Sequence, residues 1–139
     1  MATESAQGTT SNQSFYATGR RKESAARVWI KDGQGNMQVN GRSLQDYFTR
    51  ESWQKMVDKP LELSELQGKI DICATVRGGG LSGQAGALLH GLARALVQKD
   101  TALRPLLKKN LLLRRDDRMV ERKKPGQAGA RKRFQYSKR

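Results

Sequence analysis

The stretch Ile70-Asp71-Ile72-Cys73-Ala74-Thr75-Val76-Arg77-Gly78-Gly79-Gly80-Leu81-Ser82-Gly83-Gln84-Ala85-Gly86-Ala87-Leu88-Leu89 changes its hydrophobic period at the glycines. Before them, Ile70, Ile72, Ala74 and Val76 alternate with Asp71, Cys73, Thr75 and Arg77, the pattern of a strand with one buried face. Cys73 reads as a half-buried strand residue. After them, Ala85, Leu88, Leu89, Leu92, Leu96 and Val97 recur at helical spacing, the strongest amphipathic helix in the chain. Such a helix has to bury its apolar stripe, and the adjacent strand supplies the surface; the fold class is therefore α/β.

Working outward, Ala26, Val28 and Ile30 alternate with Arg27, Trp29 and Lys31, and Asp32-Gly33-Gln34-Gly35-Asn36 reads as a turn. Met37 and Val39 resume a short strand, which predicts a hairpin. Ser43-Leu44-Gln45-Asp46 has capping-box spacing and predicts a short helix with Leu44, Tyr47 and Phe48 on its apolar side. A second helix is expected around Trp53 to Val57, stopping before Pro60. Asp100 or Thr101 caps a last helix that tolerates Pro105 in its early turns, with Leu103, Leu106, Leu107 and Leu111 available to pack. The core should end near Leu113. A chain of 139 residues has room for one domain, here 15–113, between an N-terminal extension, 1–14, and a tail, 114–139.

Charge is unevenly spread. The chain holds 27 Lys and Arg against 13 Asp and Glu, net +14. Residues 1–103 have 13 basic and 10 acidic side chains; residues 104–139 have 14 and 3. That excess asks for a polyanion, either nucleic acid or an acidic membrane surface. From Arg114 onward there is too little apolar surface to offset the entropy of ordering, so the tail alone is expected to be disordered. Extended, its 26 residues would reach on the order of 85 Å. Phe134 and Tyr136 lie among its cations and offer faces for stacking on unpaired bases, which a purely solubilising tail does not need.

Several chemistries are disfavoured. One cysteine, Cys73, and one histidine, His90, provide neither an internal disulfide nor a Cys/His metal cluster, and the acids are scattered, so no metal site is assigned. Gly78-Gly79-Gly80-Leu81-Ser82-Gly83 fits G-x-G-x-x-G, with Asp100 where a ribose-binding acid would stand. Residues 102–110 nevertheless read as a Leu/Lys helix where a second parallel strand is required. Gln84-Ala85 likewise stands where a Walker loop needs Lys-Ser/Thr. No cofactor follows. Two uses remain for the glycines: letting backbone approach a phosphate at a helix N-terminus, or simply permitting a turn and close helix packing. His90 has no partner acid and reads as a structural histidine. Asp116 and Asp117, between Arg115 and Arg118, read as neutralising arginines or setting a turn. No catalytic triad can be assembled, and no enzyme activity is expected.

Thr18-Gly19-Arg20-Arg21-Lys22, Ala25-Ala26-Arg27-Val28 and Val39-Asn40-Gly41 begin a set of motifs that continues through Gly78–Ala87 and His90–Leu96. Arg115-Asp116, Arg118, Glu121-Arg122-Lys123-Lys124 and Gln135-Tyr136-Ser137-Lys138-Arg139 complete it. In order and spacing, the chain after Ser14 resembles the bacterial-type family of the ninth small-subunit ribosomal protein. The resemblance implies a two-layer α/β sandwich: a mainly antiparallel sheet packed by helices, with a left-handed βαβ crossover, plus a long extended basic C-terminal tail. It also implies a cytoplasmic, ribosomal protein in the small-subunit head, bound to the 3′ major domain of 16S rRNA beside other head proteins. The terminal Ser137-Lys138-Arg139 would approach the anticodon stem-loop of peptidyl-site tRNA. The family often has Thr at Arg114, Tyr at Pro125, Lys around Ala128 and Gly129, and Phe at Tyr136.

On this reading the phosphate contacts come from Arg20, Arg21, Lys22 and Arg77 with Gly78, Gly79 and Gly80. Arg114, Arg115, Arg118, Arg122, Lys123, Lys124, Arg131, Lys132 and Arg133 supply the rest. The competing reading is a polybasic anchor on a membrane surface or an acidic protein, which the lack of a sustained apolar face in the tail argues against. No apolar run approaches a membrane span, and residues 1–14 lack the apolar core of a signal peptide.

Overall fold

Alternation of small or branched apolar residues with polar ones builds five strands, seen in a computed structural model that describes residues 14–135. They are β1 (Phe15–Arg21), β2 (Ser24–Asp32), β3 (Met37–Val39), β4 (Arg42–Ser43) and β5 (Ile70–Arg77). Helices α1 (Leu44–Tyr47), α2 (Glu51–Ser64), α3 (Leu81–Lys99) and α4 (Arg104–Lys109) accompany them, with a 3₁₀ turn at Thr101–Leu103. The sheet order is β1-β2-β5-β3-β4, antiparallel except where β3 runs parallel to β5. Ala17, Ala26, Val28, Ile30, Val39, Ile72, Ala74 and Val76 face one core with Val57 and Leu61 of α2, Leu88, Leu92 and Leu96 of α3, and Leu107. Each fully buried leucine of α3 contributes about 2 kcal/mol by removal from water. Among the described residues, no helix lies on the opposite face of the sheet, and Tyr16, Arg27 and Cys73 are exposed there. This is the expected α/β sandwich, and its parallel crossover is the connection from β3 through α1 and α2 to β5.

Several local expectations are corrected. Lys22 and Glu23 turn β1 into β2, and β1, absent from the sequence reading, is an edge strand. The predicted hairpin between β2 and β3 does not form, because β5 lies between them. Their connecting loop crosses the end of β5, where Asp71 Oδ1 accepts the N–H groups of Gln34, Gly35 and Asn36 at 3.0, 3.1 and 3.0 Å. Those amides, Asn36 foremost, hold the Asp71 carboxyl below its ordinary range. Helix α2 runs through Pro60 to Ser64 because Val57, Pro60 and Leu61 are buried together, outweighing the hydrogen bond lost at the proline. It stops at Glu65, which is left-handed (φ 58°), with Leu66 N–H donating to Leu61 O at 3.1 Å. Cys73 is exposed rather than half-buried, since it points to the helix-free face.

The expected caps form. Ser43 caps α1 by accepting the Asp46 N–H at 3.2 Å, and Asp100 caps the 3₁₀ turn by accepting that of Ala102 at 3.0 Å. Leu106 is 38% exposed and, beyond α4, the left-handed Leu111 (φ 61°) turns outward and is 71% exposed, both contrary to their expected packing role, while Leu107 is buried and Leu112 returns to the core. Among the described residues no helix is long and apolar enough to cross a membrane. Expectations for residues 1–13, and for Tyr136, Ser137, Lys138 and Arg139, lie outside the described residues.

An edge strand leaves alternate N–H and C=O groups unpaired. Here α3 takes two of them: Arg94 Nη1 donates to Thr18 O at 2.6 Å, and Arg20 N–H donates to His90 Nδ1 at 3.4 Å. The spacing suits both elements, since two strand residues rise about 6.8 Å and four helical residues about 6 Å. With Nδ1 accepting, the His90 proton sits on Nε2, which donates to Leu113 O at 3.3 Å. Strand and helix can approach this closely because Gly19 and Gly91 have no side chains. A Cβ on Gly19 would collide with the Ala87 carbonyl oxygen and the Gly91 amide nitrogen, which are backbone and cannot step aside.

Gly19→Ala should therefore cost about 3 kcal/mol, at the upper end of ordinary overpacking, as measured by urea unfolding. A loss below about 1 kcal/mol would contradict the close approach. Burial lowers the His90 pKa from 6.5. The folded chain thus takes up this proton less readily than the unfolded one, so the His90 contribution to stability is complete above about pH 6.5 and declines below it. The NMR titration of His90 should have its midpoint below 6.5; a midpoint above that value would show the imidazole is not held neutral.

Candidate nucleic-acid interface

The candidate cations fall into three groups. The first lies along the junction of β1 and α3, which run antiparallel, so that Arg21 crosses Gly86, Arg20 adjoins His90 and Thr18 meets Arg94. A Cβ on Gly86 would strike the Arg21 side chain at Cδ, so this glycine makes room for the arginine stem. The chain leaving α4 is drawn to the same junction by the His90–Leu113 hydrogen bond and by Asp116, whose Oδ2 lies 3.5 Å from Arg21 Nε. Arg20, Arg21, Arg114, Asp116 and Arg118 thereby line one shallow groove with Lys59 of α2, while Arg20, Arg94 and Arg115 line another around His90.

Asp116 organises this ledge. It accepts Arg118 Nε at 2.9 Å, Arg118 Nη2 at 2.7 Å and the Arg118 N–H at 3.0 Å. Arg118, and to a smaller degree Arg21, hold the carboxyl well below the usual carboxylate range. Its expected part in neutralising arginines is thus met, and one carboxylate keeps the guanidinium groups of two chain segments side by side.

The second group stands at the end of the sheet. Arg77 pairs across the ladder with Ala25, and Lys22 occupies the neighbouring β1–β2 turn in a left-handed conformation (φ 52°). Gly78 and Gly79 have φ of 78° and 60°, and Cβ atoms there would meet Glu23 O and Ser24 Oγ. Turn geometry and close packing account for these two. Gly80 differs: it caps α3 without a side-chain bond, and the space beside its Cα is open.

The third group belongs to the tail. Glu121 pairs with Lys124 and, at 2.9 Å, with Arg131. Pro125 and Gly126 form a turn, after which Gln127 bridges Arg133 and the Ala128 N–H donates to Lys132 O at 3.0 Å. This stretch doubles back rather than running straight. Among the described residues, Arg20, Lys22, Arg77, Arg114, Arg115, Arg122, Lys123, Lys132 and Arg133 form no ion pair and present their charge outward.

Sequence reasoning missed Arg94 and Lys59 as members of the ledge. Arg94 had a legible signal, four residues beyond His90 and so on the same helix face. Lys59 had none, because only the packing of α2 on α3 brings it there. Among the described residues no cluster of His, Cys, Asp and Glu could hold a metal ion.

The sequence matches the family model described as ribosomal protein S9/S16 over residues 19–139, which takes in β1, the glycine turn, α3, the ledge and the tail. The chain belongs to the ribosomal protein S9/S16 family, whose members are structural, non-enzymatic proteins of the small ribosomal subunit.

Proposed function

We propose that this chain binds 16S rRNA in the 3′ major domain of the small-subunit head, in the cytoplasm, with other head proteins around it. The observation that carries the reading is the ledge, where the segment from Leu111 to Arg118 is pinned to β1 and α3 so that its arginines join those of the domain. RNA phosphates would be neutralised by Arg20, Arg21, Lys22, Arg77, Arg114, Arg115 and Arg118. Arg122, Lys123, Lys124, Arg131, Lys132 and Arg133 would extend the contact along the tail. Four of these cations, Arg21, Arg118, Lys124 and Arg131, already pair with carboxylates and would exchange or share those partners with phosphate. The Gly80 end of α3 leaves room for backbone approach, which supports a phosphate near that loop. The tail would continue toward the peptidyl site, where Ser137, Lys138 and Arg139 meet the backbone of the tRNA anticodon stem-loop.

If about ten phosphates are engaged, log affinity for RNA falls with log salt at a slope near −7, measured by filter binding across a salt series. A slope shallower than about −2 contradicts the phosphate reading. Deleting Lys138 and Arg139 should leave subunit assembly intact while weakening tRNA in the peptidyl site. Unchanged tRNA affinity in such subunits removes the tRNA role and leaves the rRNA role untouched.

A further inference from the structure

Among the described residues, none covers the face of the sheet away from the helices, and that face has an ordered chemistry of its own. Cross-strand partners share a face, so the ladder sorts its side chains into rows about 7 Å apart. In one row Arg20 and Arg77 flank Ala25, whose methyl leaves the space between two arginine-bearing strands open. The next row holds Thr18, Arg27 and Thr75; the one beyond holds Tyr16, Trp29, Cys73 and Gln38.

Two of these rows form a single cluster. The rings of Tyr16 and Trp29 lie 5.2 Å apart, centre to centre, and the Arg27 guanidinium sits over both, 5.7 and 5.0 Å from their centroids. Arg27 Nε also donates to the Tyr16 hydroxyl at 3.2 Å, and that hydroxyl lies 3.0 Å from Thr18 Oγ1. Tyr16 is 40% exposed even so. An arginine and two aromatic rings held together at an exposed surface, with no apolar side chain laid over them among the described residues, make a ready platform for a planar ring.

We propose that this sheet face is a second RNA-contact surface, where an unpaired base stacks on the Tyr16–Arg27–Trp29 cluster and a flanking phosphate seats between Arg20 and Arg77. Stacking on aromatic and guanidinium planes is how proteins take hold of single-stranded RNA. The charge favours the same occupant. Arg20, Arg27, Lys31 and Arg77 occupy this face, and its acid, Asp71, already accepts three backbone amides. The excess of positive charge on these rows suits a polyanion that also carries planar rings, which is the chemistry of single-stranded RNA. Arg20 also adjoins His90 at the ledge, so a strand of RNA could pass from one surface to the other. The inference rests on the RNA-binding reading above and adds a site to it.

Cys73, the chain's one cysteine, stands in the Trp29 row and is an exposed reporter. The test uses the full chain, a short single-stranded oligouridylate, and inorganic polyphosphate as a polyanion without bases. Binding is followed by competition and Cys73 by its alkylation rate with iodoacetamide. Saturating oligouridylate should slow alkylation several-fold, whereas polyphosphate should not. Tyr16→Ala should weaken oligouridylate binding about ten-fold and leave polyphosphate binding unchanged, with Tyr16→Phe close to wild type. Thermal melts by circular dichroism establish that both variants keep the fold. Unchanged Cys73 reactivity with RNA bound, or unchanged RNA affinity in Tyr16→Ala, overturns the sheet-face site while the ledge and tail stand. Absence of RNA binding by the wild-type chain overturns both. Cys73 blocked by a purified head protein but not by RNA makes the face a protein interface and also overturns the proposal.

Discussion

The close approach of β1 to α3 is the constraint from which the rest of the architecture follows. Two glycines, Gly19 and Gly91, bring backbone to backbone, and at that separation the edge of β1 can be closed by side chains of the helix. Had either glycine carried a side chain, Arg94 could not reach Thr18 O in this geometry, nor His90 the Arg20 N–H. The sheet would then offer an open edge for pairing with another chain. The same approach fixes the imidazole: one ring nitrogen is consumed by the strand, so the other is directed at Leu113 and draws in the chain that follows α4.

That tether converts a packing device into an electrostatic one. Arginines from three places in the sequence, Arg20 and Arg21, Arg94, and Arg114 to Arg118, meet along one line. Crowding like charges is unfavourable, and Asp116 offsets part of it by bonding Arg118 and lying beside Arg21. The carboxylate orders the arginines without removing the local excess of positive charge. The outcome is a preformed basic surface on rigid elements, continuous with a tail whose charge is less tightly arranged. For a protein that associates with a polyanion, a preformed surface lowers the ordering cost at encounter.

The sheet shows a comparable economy. β5 occupies the centre because the β2–β3 loop is carried over its end by Asp71, and Asn40 extends the parallel ladder beyond Val39. Its side chain donates to Val76 O at 3.0 Å and accepts the Val76 N–H at 2.8 Å, acting as an extra peptide group. With the four described helices on the other face, polar residues of β1, β2 and β5 such as Arg20, Arg27 and Arg77, with Tyr16, are exposed among the described residues.

Local pattern alone specified the strand from Ile70, helix α3, the cap at Ser43 and the concentration of charge after residue 103. These depend on periodicity, capping chemistry and composition, which are properties of neighbouring residues. The motifs from Thr18 to Arg139 likewise made the family resemblance legible. Tertiary structure decided what depends on distant partners: β5 separating β2 from β3, β1 as a strand at all, α2 continuing through Pro60, and Leu111 turning out while Leu112 turns in. Gly19-Arg20-Arg21 carries no strand periodicity, and it is pairing with β2 and packing on α3 that hold those residues extended. The ledge was visible as a list of cations but not as a place, because its position is set by two glycines and a histidine that bring separate segments together.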